Sequence, residues 1–103
     1  MLQVAGINMD LSTREVRVDG EPVALSAKEF LLLAALASEP RRVFRKQELL
    51  ESVWGYRSAG STRTLDSHAS RLRRKLRALC SERAYVDNVW GVGYRLVALD
   101  GPS

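Results

Sequence analysis

Residues 63–77 read RTLDSHASRLRRKLR, and this stretch combines a strong positive charge with a helical pattern. Six of its residues are Arg or Lys and one is Asp, so its local net charge is +5 in a chain whose total is +4. Apolar side chains recur three or four positions apart, at Leu65, Ala69, Leu72, Leu76 and Leu79. This spacing predicts a helix over about 62–79 with an apolar face toward a core and a basic face toward solvent.

The basic face of this predicted helix offers the chemistry that double-stranded DNA requires. On a helical wheel, the side opposite the leucines carries arginines and small polar side chains, namely Arg63, Ser67, Ser70, Arg71 and Arg74. Guanidinium groups can donate to guanine edges in the major groove and to phosphates. The alternative is an ordinary surface helix with a solvated basic face, and charge alone does not exclude it.

Length and composition fit one domain with one core. Of the 103 residues, 46% are hydrophobic and 27% are charged, as in ordinary globular domains. We assign residues 1–99 to this domain and residues 100–103 to a frayed tail. No apolar run is long enough to cross a membrane, and the N-terminus lacks the pattern of a signal peptide. These features and the single cysteine, Cys80, predict a cytoplasmic protein without an internal disulfide.

The N-terminal region reads as strands. Residues 7–11 and 15–18 alternate apolar and polar side chains. Asp19-Gly20 follows the second run and predicts a hairpin, because both positions of such a turn need positive φ. Pro22 has no N–H to donate to a ladder, which places its strand at a sheet edge.

The first helix is predicted from a capping box. Ser26 and Glu29 have the spacing at which each side chain bonds to the other residue's backbone amide. The helix should end near Ser38, because Pro40 disfavours helix at the residue before it. Its predicted inward face consists of Phe30, Leu33, Ala34 and Ala37.

Two more helices and a hairpin complete the predicted order. The second helix covers about 46–54 and ends at Gly55, with a poor cap at Arg45. Its predicted inward side chains are Leu49, Leu50, Val53 and Trp54. Ser61 or Thr62 caps the third helix. Residues 85–90 and 94–97 flank Gly91-Val92-Gly93, which predicts a β-hairpin. A small sheet, three helices and a hairpin describe an α+β winged helix.

The chain resembles the C-terminal output domain of OmpR/PhoB-type response regulators of bacterial two-component systems. Four segments carry the resemblance: LSAKEFLLLAAL at 25–36, RKQELLESVWG at 45–55, RTLDSHASRLRRKL at 63–76 and VDNVWGVGYRL at 86–96. It implies a winged helix-turn-helix with an N-terminal four-stranded antiparallel sheet, three helices and a C-terminal hairpin wing. It also implies sequence-specific binding of double-stranded DNA, with the third helix in the major groove and the wing (85–97) at the adjacent minor groove.

The resemblance assigns expected roles to individual residues. Those expected to read base edges are Thr64, Ser67 and Arg71. Those expected at phosphates or the DNA backbone are Arg63, His68, Ser70, Arg73 and Arg74. The wing residues are Asn88, Trp90, Tyr94 and Arg95. In the family the loop after the second helix often meets RNA polymerase, and here the candidates in that loop are Tyr56 and Arg57.

Some of these residues differ from the family pattern, and some have two possible roles. Trp90 replaces an Arg that can enter the minor groove, and it is either an exposed apolar wedge or a cover over the core beside Tyr94. Ser70 stands where an Arg is common. His68 is either a packing residue or a phosphate contact. Lys75 is expected to be solvated and to act only through long-range attraction.

Two functions remain open on the sequence. The first is a DNA-binding output domain, with two copies on direct-repeat half-sites and with a receiver domain absent from this chain. The second is a winged helix for protein–protein docking that has lost DNA binding. An enzyme is not expected, since one Cys, one His and no paired carboxylates supply no catalytic constellation. No cofactor, metal or membrane partner is predicted.

Overall fold

Two antiparallel sheets flank the helices in the computed structural model, which describes residues 2–55, 62–80 and 85–97. In chain order the elements are β1 (Leu2–Val4), β2 (Ile7–Asp10), β3 (Glu15–Val18), β4 (Glu21–Pro22), α1 (Ala27–Ser38), β5 (Phe44–Arg45), α2 (Lys46–Leu49) with a π-helical turn (Leu50–Trp54), α3 (Arg63–Leu79), β6 (Tyr85–Val89) and β7 (Gly93–Val97). One sheet has the order β1-β2-β3-β4 and the other β5-β7-β6. This is the α+β winged-helix architecture that the sequence predicted.

The hairpin between β3 and β4 forms at the predicted residues. Asp19 and Gly20 have φ values of 51° and 87°, and Val18 lies opposite Glu21, as in a two-residue turn. Pro22 lies in β4, which is an edge strand as expected. These outcomes confirm that the local turn chemistry sets the register of this end of the sheet.

The alternation predicted over 7–11 is wrong at its last position. Leu11 is 50% exposed and lies after β2, which ends at Asp10. The Asp10 carboxylate accepts the backbone N–H of Ser12 at 3.0 Å and that of Thr13 at 3.3 Å. Because an Asp side chain that binds the next amides starts a turn, the strand stops before Leu11 can face the core.

The capping box at the start of α1 is confirmed. The Ser26 hydroxyl accepts the N–H of Glu29 at 3.2 Å, and the Glu29 carboxylate accepts the N–H of Ser26 at 3.0 Å. The helix ends at Ser38, as expected before Pro40. Of the predicted inward residues, all but the half-buried Ala34 are buried. Further buried positions, which the prediction omitted, are Glu29, Leu32 and Leu36.

The second helix has the predicted extent but changes type along its length. Its four α-helical residues continue into the π-helical turn, and the helix ends at Gly55, whose φ is +94°. Arg45 makes no side-chain cap, and its N–H instead donates to Glu48 Oε1 at 2.9 Å. Three of the four predicted inward residues are buried and Trp54 is half-buried.

The apolar face of α3 lies in the core, as the spacing predicted. Leu65, Leu72 and Leu76 are fully buried and Ala69 is 1% exposed, whereas Leu79 is half-buried. Burying a leucine side chain contributes roughly 1.5–3 kcal/mol. These contacts therefore fix the rotation of α3 about its axis and turn the opposite face outward.

The C-terminal hairpin forms with a third strand that the sequence did not predict. Phe44 of β5 pairs with Tyr94 of β7, and Arg45 pairs with Gly93. The turn of the hairpin lies at Trp90–Val92, and β7 already begins at Gly93. The bounds of the domain stay a prediction, because residues 98–103 lie outside the described residues.

Candidate nucleic-acid interface

The outward face of α3 is an open, polar and basic surface. It surrounds a depression lined by Thr62, Arg63, Asp66, Ser67, Ser70, Arg71 and Arg74. All five residues that the helical wheel placed opposite the leucines are exposed, and so is Thr64. The structure thus brings together the three predicted base-reading residues and most of the predicted phosphate contacts.

Arg71 stands near the middle of this face and lies close to Glu29. Its Nε lies 3.7 Å from Glu29 Oε2, and 51% of its side chain remains exposed. An ion pair of this length beside solvent contributes little. The outer part of the guanidinium is therefore available to a ligand.

Lys75 is 39% exposed, but it does not act only through long-range attraction as expected. Its Nζ donates to Glu29 Oε1 at 2.7 Å and to the carbonyl of Ala24 at 3.1 Å. Glu29 is only 3% exposed, and a buried carboxylate requires a counter-charge. Lys75 therefore has a structural role that joins α3 to the start of α1.

The charge state of Glu29 follows from these contacts. Burial alone would raise its pKa. The hydrogen bonds from Lys75 and the Ser26 amide, with the positive charges of Lys75 and Arg71, outweigh burial and hold the pKa of Glu29 below its ordinary value. The carboxylate is therefore ionised near neutral pH and stabilises the helix pair in that form.

Asp66 organises the N-terminal end of α3. Tyr94 Oη donates to Asp66 Oδ1 at 2.6 Å, Lys46 Nζ lies 3.1 Å from the same oxygen, and Thr62 Oγ1 donates to Oδ2 at 3.1 Å. Burial opposes ionisation of Asp66, but these hydrogen bonds outweigh it and lower its pKa. Burial, followed by the bond to Asp66, raises the pKa of Tyr94 well above its ordinary value. One carboxylate thus connects α2, α3 and the wing.

Thr62 occupies the cap position of α3 but does not cap it in the expected way. Its side chain makes no hydrogen bond to a backbone amide of the helix, and its hydroxyl donates to Asp66 instead. Ser61, the other candidate, lies outside the described residues.

His68 packs against the second helix. Its ring lies 5.0 Å from that of Trp54 at an interplanar angle of 71°, an edge-to-face arrangement. Its Nδ1 lies 2.8 Å from the Thr64 carbonyl. A carbonyl can only accept, so Nδ1 carries the hydrogen in this contact. The packing interpretation of His68 thus has direct geometric support, whereas the phosphate contact stays a prediction.

The two consecutive arginines of α3 differ in their surroundings. Arg74 is exposed, whereas Arg73 is half-buried. The Nε of Arg73 is buried and has no hydrogen-bond partner within the described ranges. Arg74 is therefore placed to meet a partner directly, and Arg73 can do so only with the outer part of its side chain.

The wing presents its residues in different ways. Trp90 is 91% exposed, which excludes the interpretation of this side chain as a cover over the core. Tyr94 lies in the wing strand β7, as expected, but it is 4% exposed and its hydroxyl is held by Asp66. Asn88 is exposed, and the half-buried Arg95 pairs with Asp87 at 2.7 Å.

Sequence reasoning missed the residues that orient the helix face. Glu29 was recognised only as a capping residue, and the distant partners of Glu29 and Asp66 were not foreseen. Tyr56 and Arg57 lie outside the described residues. Among those described, no group of three or more His, Cys, Asp or Glu could hold a metal ion, and no helix is long and apolar enough to cross a membrane.

Comparison with known proteins gives consistent matches over nearly the whole chain. Residues 20–96 match the family model described as the C-terminal part of transcriptional regulatory proteins. The uncharacterized transcriptional regulatory protein YclJ of Bacillus subtilis (strain 168) is 45% identical over 96 residues, which are 92% of this chain and 41% of that protein. The chain therefore spans about two fifths of the length of such relatives.

Two solved structures are similar to the fold. The DNA-binding domain of the response regulator AdeR, in complex with an intercistronic region, matches with a TM-score of 0.86 and 30% identity, over 96% of this chain and all of that one. The DNA-binding domain of RstA from Klebsiella pneumoniae, in complex with the RstA box, matches with a TM-score of 0.81 and 30% identity, over 93% of this chain and 95% of that one.

Proposed function

The chain belongs to the C-terminal DNA-binding domains of OmpR/PhoB-type response regulators, and on that premise we propose that it recognises a specific sequence of double-stranded DNA through α3. The observation that carries the proposal is the exposed basic face of α3, held outward by three fully buried leucines. A helix of this kind fits the major groove, where each base pair presents a distinct set of donors and acceptors.

Base reading is assigned to Thr64, Ser67 and Arg71. All three are exposed on the outward face, and the two hydroxyl side chains are short enough to let the helix approach the base edges closely. Arg71 can donate two parallel hydrogen bonds to one guanine. Arg71 Nε lies 3.7 Å from Glu29 Oε2, which leaves the terminal N–H groups of the guanidinium for the guanine. The same contact limits the directions in which the guanidinium can point.

Phosphate contacts set the position of the helix in the groove. We assign them to Arg63, Ser70 and Arg74 on the exposed face, with Arg73 in reach only by its outer atoms. His68 can join them only as an imidazolium, because its Nδ1–H is used by the Thr64 carbonyl and a neutral ring would then present an acceptor at Nε2.

Selection from a random pool of duplexes tests the proposal. The wild-type chain is expected to enrich one motif. Arg71→Ala should bind that motif about 10- to 100-fold more weakly and lose discrimination at one base pair, because a bidentate pair is worth ~1–3 kcal/mol. Arg77→Ala is the matched control, since Arg77 is also an exposed α3 arginine but lies past the assigned contacts.

The outcomes of this selection separate the alternatives. An unchanged motif with Arg71→Ala would remove this residue from base reading. A wild-type chain that enriches nothing would contradict DNA recognition and favour the protein–protein docking function. An equal loss of affinity in Arg77→Ala would indicate that Arg71 contributes only its positive charge and not a specific contact with a base.

The salt dependence of binding provides a second prediction. With about four to six phosphates contacted, log K should fall against log salt with a slope of roughly −4 to −5. Titrations of the enriched duplex at several salt concentrations measure this slope. A slope near zero would contradict the assigned phosphate contacts.

We also propose the setting in which the domain acts. Two copies occupy direct-repeat half-sites, and a receiver domain outside this chain raises their local concentration. The greater length of the relatives supports this arrangement. The segment that contains Tyr56 and Arg57 contacts RNA polymerase. The protein acts in the bacterial cytoplasm by binding alone, without catalysis or a cofactor.

A further inference from the structure

We propose that Trp90 and Val92 form an apolar wedge that enters the minor groove of the bound DNA, an inference that rests on the proposed function. Trp90 is 91% exposed and Val92 is 48% exposed. No other large hydrophobic side chain in the described part of the chain exceeds the 50% exposure of Leu11. Exposing an indole to this extent forgoes much of the stabilisation that its burial would bring, which points to a surface that is covered when the domain is bound.

The wedge is supported by a rigid turn. Val92 donates its N–H to the Val89 carbonyl at 2.9 Å, and Gly91 between them has a φ of +77°, a conformation that glycine adopts at little cost. Behind the turn, Arg95 and Asp87 pair across the strands at 2.7 Å. Little backbone freedom is therefore lost when the tip binds, which favours affinity.

The position of the hairpin makes DNA its partner. The Tyr94 hydroxyl fastens β7 to Asp66, which lies between Thr64 and Ser67 in α3. The wing and the proposed base-reading face are thus joined through one side chain and are presented together. Because the strand that follows the turn is fixed to the helix that carries this face, we assign the wedge to the same ligand as α3.

The absence of charged side chains at the tip of the wing favours an apolar contact with DNA over attraction to phosphates. Residues 88–94 contain no charged side chain, and the charges of Asp87 and Arg95 are paired. The tip therefore does not repel phosphates, and it gains little from attracting them. Apolar wedges of minor-groove proteins insert between base steps, and base–aromatic stacking is tolerant of sequence. The contact should add affinity without releasing counterions.

Four variants test the wedge on the duplex that the wild-type chain enriches. Trp90→Ala should weaken binding about tenfold, the loss expected for one aromatic–base stacking contact, with an unchanged salt slope. Trp90→Phe should retain most of the affinity. Trp90→Arg should steepen the slope by about 0.9, the value for one added phosphate contact. Leu11→Ala, the control on an exposed apolar residue that follows β2 of the other sheet, should leave binding unchanged.

Each result has one meaning. An unchanged melting temperature for Trp90→Ala, expected from the exposure of the indole, assigns any loss of binding to the interface. Wild-type affinity in Trp90→Ala, or a loss equalled by Leu11→Ala, would overturn the wedge while leaving DNA recognition by α3 intact. A flatter slope in Trp90→Ala would overturn its apolar character. A wild-type chain that enriches no duplex would overturn both the wedge and the proposed function.

Discussion

Replacing Gly93 by alanine is expected to lower the free energy of unfolding by at least about 3 kcal/mol, because the site has no room for a methyl group. A Cβ built on Gly93 would lie 1.8 Å from the Phe44 carbonyl oxygen and 2.8 Å from its carbon. Both atoms belong to the backbone of β5, so no side-chain rotation can relieve the clash. We expect β5 to separate from β7 in this variant while the hairpin of β6 and β7 persists.

A glycine control separates this steric effect from backbone strain. Gly20 has a φ of +87° and open space around its hypothetical Cβ, so Gly20→Ala should cost only about 1 kcal/mol for the left-handed conformation. Gly93 does not have such a φ, and its cost is steric alone. Urea denaturation of the two variants measures the difference, and a drop of roughly 15 °C in Tm should accompany Gly93→Ala. Equal losses in both variants would contradict the close approach of β5.

The Gly93 contact also illustrates what the sequence could and could not predict. The capping box of α1, the Asp19-Gly20 turn and the leucine spacing of α3 are signals within a few residues of one another, and each was confirmed. β5 is only two residues long, and it is defined by pairing with a strand 49 positions later. A pattern of two residues has no period, so Phe44 and Arg45 could not be identified as a strand.

In the candidate interface, too, local features were predicted and contacts between distant residues were not. The exposed side of α3 followed from the helical wheel, because periodicity within one helix fixes which side chains share a face. The partners of those side chains come from distant positions. Lys75 bonds to Glu29 across 46 residues and Tyr94 bonds to Asp66 across 28. Both pairs depend on how the helices and the hairpin pack, so neither contact was predicted, and the expectation that Lys75 acts only through long-range attraction was wrong.

Glu29→Gln is expected to destabilise the fold by about 3 kcal/mol at neutral pH. The substitution keeps an oxygen that can accept the Ser26 amide, so the cap of α1 is largely retained. It removes the charge that neutralises Lys75, and breaking a buried ion pair costs about 3–5 kcal/mol. The lower end of this range applies here because Lys75 is 39% exposed. A double-mutant cycle with Lys75→Met should give a coupling energy above about 1 kcal/mol. Additive losses would contradict a direct interaction.

The loss in Glu29→Gln should also depend on pH in a defined direction. The pKa of Glu29 in the folded chain is below the ordinary value of 4.5, so its charge contributes full stability above about pH 4.5 and that contribution disappears as pH falls through the folded pKa. The difference between wild type and variant should therefore be largest near neutral pH and should shrink as the pH falls below 4.5 and through the lowered pKa of Glu29. Asp66 titrates in both proteins and cancels in this comparison. Urea denaturation of both proteins at several pH values measures this difference in the free energy of unfolding. A difference that does not depend on pH would assign the loss to packing instead of charge.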